Sequence, residues 1–364
     1  MVPMSAGRWS ILAVACAALS GGCPTCPDPF YELTTPDPQV RLPLDEGPHC
    51  FGGGEWWYYS GRLSADDGAQ FGVEAVIFHV PPLPIGLPVE LWTAHYAVID
   101  VETGQFQYDQ VVVAGPHGAA LVPGKGFDLN TPLIQMHGED GRDFIEAAFR
   151  QGDYALNLAL QDTRGAVLHG GDGYVPHGSS GRSFYYSRPR MDASGTLQVG
   201  DTLHDVSGEM WFDRQWGRDL NDPHLAWNWY SIRLDDGTDI MLYEFPSADG
   251  AVAFGTVMPP DEPPFALGPE DLRISPSATW VSPATGITYE VAWDIEASRE
   301  DIALTLTAVV DDVEFDARST TQNIYWEGLC TVEGHIAGEP VQGDAYVEQA
   351  NAGFASQGRA PATQ

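Results

Sequence analysis

An eight-residue signature occurs twice in this chain. Trp56-Trp57-Tyr58-Tyr59-Ser60-Gly61-Arg62-Leu63 returns as Trp227-Asn228-Trp229-Tyr230-Ser231-Ile232-Arg233-Leu234, 171 residues further on as Tyr59 becomes Tyr230. Each copy runs into Asp-Asp-Gly, Asp66-Asp67-Gly68 and Asp235-Asp236-Gly237, the composition of a hairpin turn. A closing signature repeats as well: Val206, Gly208, Trp211 and Asp213 have the spacing of Val341, Gly343, Tyr346 and Glu348. Two units that open and close alike imply a duplicated domain, and the period is far too long for a solenoid. The 364 residues suffice for two domains with their own cores.

Period-2 alternation marks Phe71 to Val80, Trp92 to Val101, Ile240 to Phe245 and Ile302 to Val310 as strands. Long helical patterns are absent, and the 40 Gly and 28 Pro punctuate short strands with tight turns. The expected fold is all-β, two tandem barrels with few short helices. The expected boundaries are a leader over 1–22, a Pro-rich tether over 23–48, domains over 49–217 and 218–350, and a disordered tail over 351–364.

Acids number 51 against 17 basic residues, and Lys125 is the one lysine. A net charge of -34 repels nucleic acid and anionic headgroups, so neither is an expected partner. At the start, Arg8 precedes an apolar run from Trp9 to Leu19 and then Ser20-Gly21-Gly22-Cys23. This is the pattern of an export signal, and it resembles a bacterial lipoprotein signal with Cys23 as the lipidated residue. The expectation is an exported envelope protein that meets the membrane only through a lipid anchor. In an oxidising compartment, Cys50 and Cys330 are the cysteines expected to form a disulfide between the domains. Cys23-Pro24-Thr25-Cys26 lacks the βαβ context of a redox site.

Five segments carry a family resemblance. Glu55-Trp56-Trp57-Tyr58, His95 to Asp100, Phe184-Tyr185-Tyr186-Ser187-Arg188, Trp211 to Gly217 and Tyr325-Trp326-Glu327-Gly328 together resemble the carotenoid 1,2-hydratase / AttH-like family. The resemblance implies two lipocalin-like β-barrels and a hydrophobic small-molecule ligand, with no cofactor. Its members include hydratases of isoprenoid double bonds and cyclisation catalysts, so fold alone leaves the chemistry open.

Adding water to an alkene requires an acid to protonate carbon, aromatic faces or carboxylates to shelter the cation, and a placed water. Carboxylates embedded in aromatic strands are therefore the candidates: Glu55, Asp213, Glu244 and Glu327. Where the family commonly has Asp-His-x-Trp-Gly, this chain has Asp213-Arg214-Gln215-Trp216-Gly217. The resemblance matches Trp216 and Tyr243 to catalytic positions, replaces the His with Arg214, and puts Phe245 where an Asp is expected, beside Glu244. The expected catalytic group is thus Asp213, Trp216, Tyr243 and Glu244. The competing expectation makes Asp213 and Arg214 a structural ion pair.

Glu55, Trp57, Tyr59, His95, Trp229 and Tyr230 are the expected ligand-binding residues. The face Trp56, Tyr58, Ser60, Arg62, kept in both copies, reads as serving the fold. His79, His95 and Glu74 have no metal-site spacing and read as core or rim residues, so no metal is expected. Gly170 to Gly181 reads as a loop over a barrel mouth, and no Gly-x-Ser-x-Gly elbow is present. An acid–base enzyme, a carrier of apolar ligands and a filled structural barrel all remain open.

Overall fold

The computed structural model describes residues 35, 37–49, 53–80, 89–119, 125–176, 181–217, 220, 226–247 and 250–350. The leader, the lipidation candidate Cys23, Cys26, Cys50 and the tail 351–364 lie outside the described residues.

Thirteen strands build the first sheet: β1 (Gly54–Ala65), β2 (Gln70–Val80), β3 (Leu91–Asp100), β4 (Gln105–Ala114), β5 (Gly118–Ala119), β6 (Phe127–Asn130), β7 (Ile134–Glu139), β8 (Arg142–Ala148), β9 (Tyr154–Asp162), β10 (Val167–Leu168), β11 (Tyr174–Pro176), β12 (Arg182–Val199) and β13 (Thr202–Gly217). Ten build the second: β14 (Trp227–Leu234), β15 (Asp239–Ser247), β16 (Gly250–Met258), β17 (Phe265–Leu267), β18 (Leu272–Val281), β19 (Thr288–Ala297), β20 (Ile302–Ala308), β21 (Glu314–Asp316), β22 (Ile324–Ile336) and β23 (Glu339–Ala350). Short 3-10 segments stand at Leu44–Glu46 and Arg299–Asp301.

The first sheet runs β4-β3-β2-β1-β13-β12-β9-β8-β7-β6-β5 and the second β17-β16-β15-β14-β23-β22-β20-β19-β18. The two orders superimpose. In each, the repeated signature strand lies between the strand that follows it and the last strand of its unit. The expected all-β pair of lipocalin-like domains is what the chain forms, as two curled half-barrel sheets.

The register explains why both signatures were kept. Leu63 faces Gly208 across β1 and β13, as Leu234 faces Gly343 across β14 and β23. A Cβ on Gly208 would collide with the carbonyl oxygen of Arg62, and one on Gly343 with that of Arg233. Both Asp-Asp-Gly turns close with the same bonds, Gly68 N–H to Ala65 O at 2.9 Å and Gly237 N–H to Leu234 O at 3.1 Å. Their glycines sit at φ +94° and +88°, where a side chain is strained.

Strand alternation then divides each sheet into two faces. Trp57, Tyr59, Leu63, Phe212 and Trp216 fill the interior of the first half-barrel. Tyr230, Ile232, Leu234, Trp293 and Val332 belong to the core of the second. The opposite faces, Trp56 and Tyr58 in one copy and Trp227 and Trp229 in the other, meet each other. Trp56 stacks on Trp227 with centroids 6.5 Å apart, and Tyr58 packs edge-on to Trp229 at 5.3 Å.

This seam is largely buried and cross-bonded. Tyr58 and Trp229 are 6% and 2% exposed, and burying one large side chain contributes roughly 1.5–3 kcal/mol. The Trp229 indole N–H donates to the Tyr185 hydroxyl at 2.9 Å, and the Tyr243 hydroxyl donates to Gln215 Oε1 at 3.1 Å. At one end of the seam the fully buried carboxylate of Asp239 takes Arg164 and Arg190 at 2.8 and 3.0 Å. The face read from the sequence as serving the fold is thus the face on which one copy recognises the other.

Candidate active site at the seam

A cavity of about 30 Å³ lies in this seam, walled by Trp56, Tyr58, Val76, Phe78, Trp227, Trp229, Tyr243 and Tyr325. That is room for one or two waters. Four carboxyls line it: Glu74, Asp213, Glu327 and Glu348. They come from both units by the logic of the duplication. Asp213 faces Tyr58 across β13 and β1, and Glu348 faces Trp229 across β23 and β14. Asp213 and Glu348 are therefore equivalent residues of the two copies. Glu327 is directly opposite Glu348 on β22, and Glu74 reaches the same face from β2, opposite Ser60.

Asp213 is 3% exposed and accepts three hydrogen bonds. Its Oδ2 takes the Tyr185 hydroxyl at 2.6 Å, and its Oδ1 takes the Trp211 indole N–H at 2.7 Å and the Ser187 hydroxyl. Burial pushes Asp213 up to about 7 even though these donors pull it down. Glu348, only partly buried and open to the cavity, is pushed up to about 7, first by burial; the Trp227 indole opposes this and the Asp213 charge adds to it. Glu327 is held well above the usual carboxylate range by burial and then by Glu74 and Glu348, against the hydrogen bond donated by Tyr58. Glu74, 1% exposed, has no partner for either carboxyl oxygen, and burial followed by the Glu348 charge holds it far up as well. Among these acids a proton persists at neutral pH because carboxylates so close cannot all ionise.

Between its unfolded pKa near 4.5 and its folded value of about 7, Glu348 binds more protons in the native state, so stability falls as pH rises through that window. The loss is on the order of 3 kcal/mol. Glu348→Gln removes it, so its melting temperature should exceed that of the wild type at about pH 8 and match it at about pH 4. Thermal melts at both pH values decide the matter, and equal melting temperatures at the higher pH would refute it.

Tyr243 and Trp229 stand on the cavity with Asp213. Trp216 is on the opposite face of β13, stacked on Phe184 at 5.2 Å and on His49 at 4.8 Å inside the first half-barrel. Glu244 faces away from the cavity, where it accepts the Asn228 amide at 2.9 Å. Trp57 and Tyr59 are fully buried in the first core, the Trp57 N–H donating to Glu46 O at 3.0 Å and the Tyr59 hydroxyl to Asp143 at 2.7 Å. Tyr230 packs edge-on to Trp293 in the second core.

Glu55 lies under Arg214, with His79 and His49 at 2.6 and 2.7 Å. The Asp213–Arg214 ion pair does not form, because neighbours on a strand point to opposite faces. Arg214 pairs with Glu55 instead and covers Trp57 at 3.8 Å. His95 is behind the cavity wall, with Nδ1 on the Tyr325 hydroxyl at 2.8 Å, whereas His79 points into the first half-barrel. Among the described residues no group of His, Cys, Asp and Glu is arranged to hold a metal ion. Cys330 is fully buried in β22.

Tyr58, Ser187, Tyr325 and His169 carry no chemical signal in the sequence, and Glu74 stands out there only as a metal candidate without the spacing for one. The available signal was the Trp56-to-Arg62 face, whose repetition marked an interface.

The comparisons agree with this architecture. A solved AttH candidate from Nitrosomonas europaea is 26% identical, with 87% of this chain and 98% of that one covered and a TM-score of 0.76. Kievitone hydratase from Nectria haematococca is 22% identical over 87% of this chain and 94% of its own, at TM-score 0.67. CghA, solved with Sch210972, is 11% identical over 90% and 97%, at 0.54, and shares the fold. No curated protein matches by sequence. The AttH-like family pattern matches residues 33–351, so the chain belongs to the AttH-like family.

Proposed function

We propose that this protein adds water to, or removes it from, a carbon–carbon double bond of a hydrophobic isoprenoid or lipid-like molecule held at the seam. The observation that carries this reading is the set of four carboxyls in one aromatic-walled cavity, where burial raises their proton affinity so that the set shares protons near neutrality. A carboxylic acid delivers its proton to one alkene carbon. The indole and phenol faces of Trp56, Trp227, Trp229 and Tyr58 stabilise the cation, and a water attacks the other carbon while a carboxylate takes its proton. Elimination runs the same steps in reverse. The likeness to kievitone hydratase supports the reading; with Arg214 and Phe245 standing where the family resemblance puts a His and an Asp, the reading gives the acid–base work to the four carboxyls of the cavity.

A pure carrier would need the aromatic wall but gains nothing from four acids on it, three of them buried and each costing stability when ionised. The cavity admits water but no terpene, so substrate entry requires its walls to part. The stacked, partly exposed Trp56 and Trp227 are the wall residues nearest solvent, and the reading places the opening there. The leader pattern supports action in the cell envelope.

The test is incubation of purified protein in heavy-oxygen water with a panel of acyclic polyprenes and prenylated phenols, followed by mass spectrometry. Label in a product supports the proposal. A ligand that co-purifies from the native host and is returned unlabelled would establish the carrier instead.

A further inference from the structure

Two buried histidines flank the cavity acids, and hydrogen-bond bookkeeping fixes the proton on each. His169 is fully buried, with Nδ1 on Thr256 Oγ1 at 2.9 Å and Nε2 on Ser187 Oγ at 2.7 Å. The Ser187 hydroxyl has one proton, and it goes to Asp213. His169 must then donate from Nε2 and accept from Thr256 at Nδ1. Tyr185 behaves alike: its oxygen accepts the Trp229 indole, a donor only, so its own proton also goes to Asp213. With Trp211, three protons point at Asp213 and none leaves it.

On the other side the direction is reversed. The Gln110 side-chain NH2 is spent on Asp316 O at 2.6 Å, so Gln110 Oε1 receives the Thr320 hydroxyl at 2.6 Å. The alternative acceptor for that hydroxyl is Ala317 O, and either choice leaves Thr320 Oγ1 to accept from His95 Nε2 at 2.9 Å. His95 Nδ1 is therefore bare and accepts the Tyr325 hydroxyl proton. The Tyr325 phenol, a wall of the cavity that Glu74 and Glu327 also line, turns its hydrogen to His95 and so has only its oxygen to offer the carboxyls. Burial holds both imidazoles down at about 3, so they stay neutral throughout.

Resting on the hydration reading, we infer that these two chains of opposite direction assign the roles. The His169–Ser187–Asp213 chain keeps Asp213 the carboxylate that takes the proton of water, and the Tyr325–His95–Thr320–Gln110 chain keeps a proton among Glu74, Glu327 and Glu348 as the acid. His169 and His95 are positioning residues: each acts through a hydroxyl and neither touches the cavity. Environments that drive two sets of carboxyls toward opposite protonation states are how one site supplies both an acid and a base.

The test needs no substrate, so its failure is distinct from failure to hydrate. In protein labelled with nitrogen-15 histidine, two-bond proton–nitrogen spectra report which ring nitrogen is protonated, with His95→Gln and His169→Gln used for assignment. Both rings should show a neutral imidazole protonated at Nε2 at neutral pH. A proton on Nδ1 of His169 would mean that Asp213 donates to Ser187, and one on Nδ1 of His95 that Tyr325 aims its proton at the acids; either overturns the inference, as does an imidazolium at either position. Infrared spectra supply the second arm. The protonated-carboxyl absorption should persist in Asp213→Asn, diminish in Glu74→Gln and shift in Tyr325→Phe, whereas its loss in Asp213→Asn alone would reverse the assignment.

Discussion

Asp213→Asn is expected to fold and to lose about 10²- to 10⁴-fold in turnover, the usual contribution of a positioned acid or base. The substitution nearly preserves shape, but a carboxamide brings a donor where the carboxylate only accepts. Its oxygen can keep the Trp211 indole and the Ser187 hydroxyl. Its NH2 then meets the Tyr185 oxygen, already engaged by Trp229, and the Tyr185 proton loses its acceptor. One buried donor left unmade costs about 1–3 kcal/mol, so a lowered melting temperature accompanies the kinetic loss without unfolding the sheets. Glu244→Gln is the matched control, since Glu244 lies across the strand from the cavity, bonded to Asn228. Heavy-oxygen incorporation at saturating substrate measures both variants. A fall of less than about threefold in Asp213→Asn would remove this residue from the chemistry.

The fold was legible because duplication printed it twice. Alternation in the Trp56 and Trp227 segments gave strands, the Asp-Asp-Gly runs gave hairpins, and the repeated Gly208 and Gly343 marked a close approach that only glycine permits. The site was half legible. Asp213, Tyr243, Trp229 and Glu327 stood out as acids or aromatics in aromatic strands, and all four line the cavity. Trp57, Tyr59 and Tyr230 belong to the other face, and period-2 patterning could not say which face was interior when both are apolar. Glu74 stood out only beside His79 and His95, as a metal candidate without the spacing for one, and otherwise a carboxyl alternating with Val73 and Ala75 looks like any half-exposed strand. Its burial comes from the second sheet lying over it, a non-local fact.

Duplication also accounts for the asymmetry of the seam. Equivalent positions now hold Asp213 and Glu348, Tyr58 and Trp229, Ser187 and Glu327, Val76 and Tyr243. A symmetric ancestor would have met itself with like acids. Divergence at Ser187 gave one acid a hydroxyl donor, while Glu327 gave the other a second carboxyl. The same two-fold frame thus carries a donor-rich end and a carboxyl-crowded end, which acid–base chemistry requires and simple packing does not.

Arg214→Met should be the most damaging single change for stability, at about 3–5 kcal/mol, because it strips a buried carboxylate of its cation. Arg214 is fully buried, pairs with Glu55, donates to Gly47 O at 3.0 Å, and lies over Trp57 at 3.8 Å and Trp216 at 5.0 Å. Burial raises Glu55, but Arg214 and then His49 outweigh it and hold the carboxyl well below its ordinary value. The sign follows. A depressed folded pKa contributes stability that is present above the unfolded value near 4.5 and is lost as pH falls through the folded one. The penalty of Arg214→Met should therefore be full at about pH 7 and shrink toward about pH 3, where Glu55 is protonated in the unfolded chain and, without the guanidinium, in the folded variant as well. Adding Glu55→Gln should recover part of the loss at about pH 7, since the stranded charge goes with it. Urea titrations of the two variants at both pH values separate the causes. A penalty equal at both pH values and not relieved by Glu55→Gln would mean that Arg214 serves as an aromatic-stacked filler, and that the charge it carries is incidental to closing the first half-barrel.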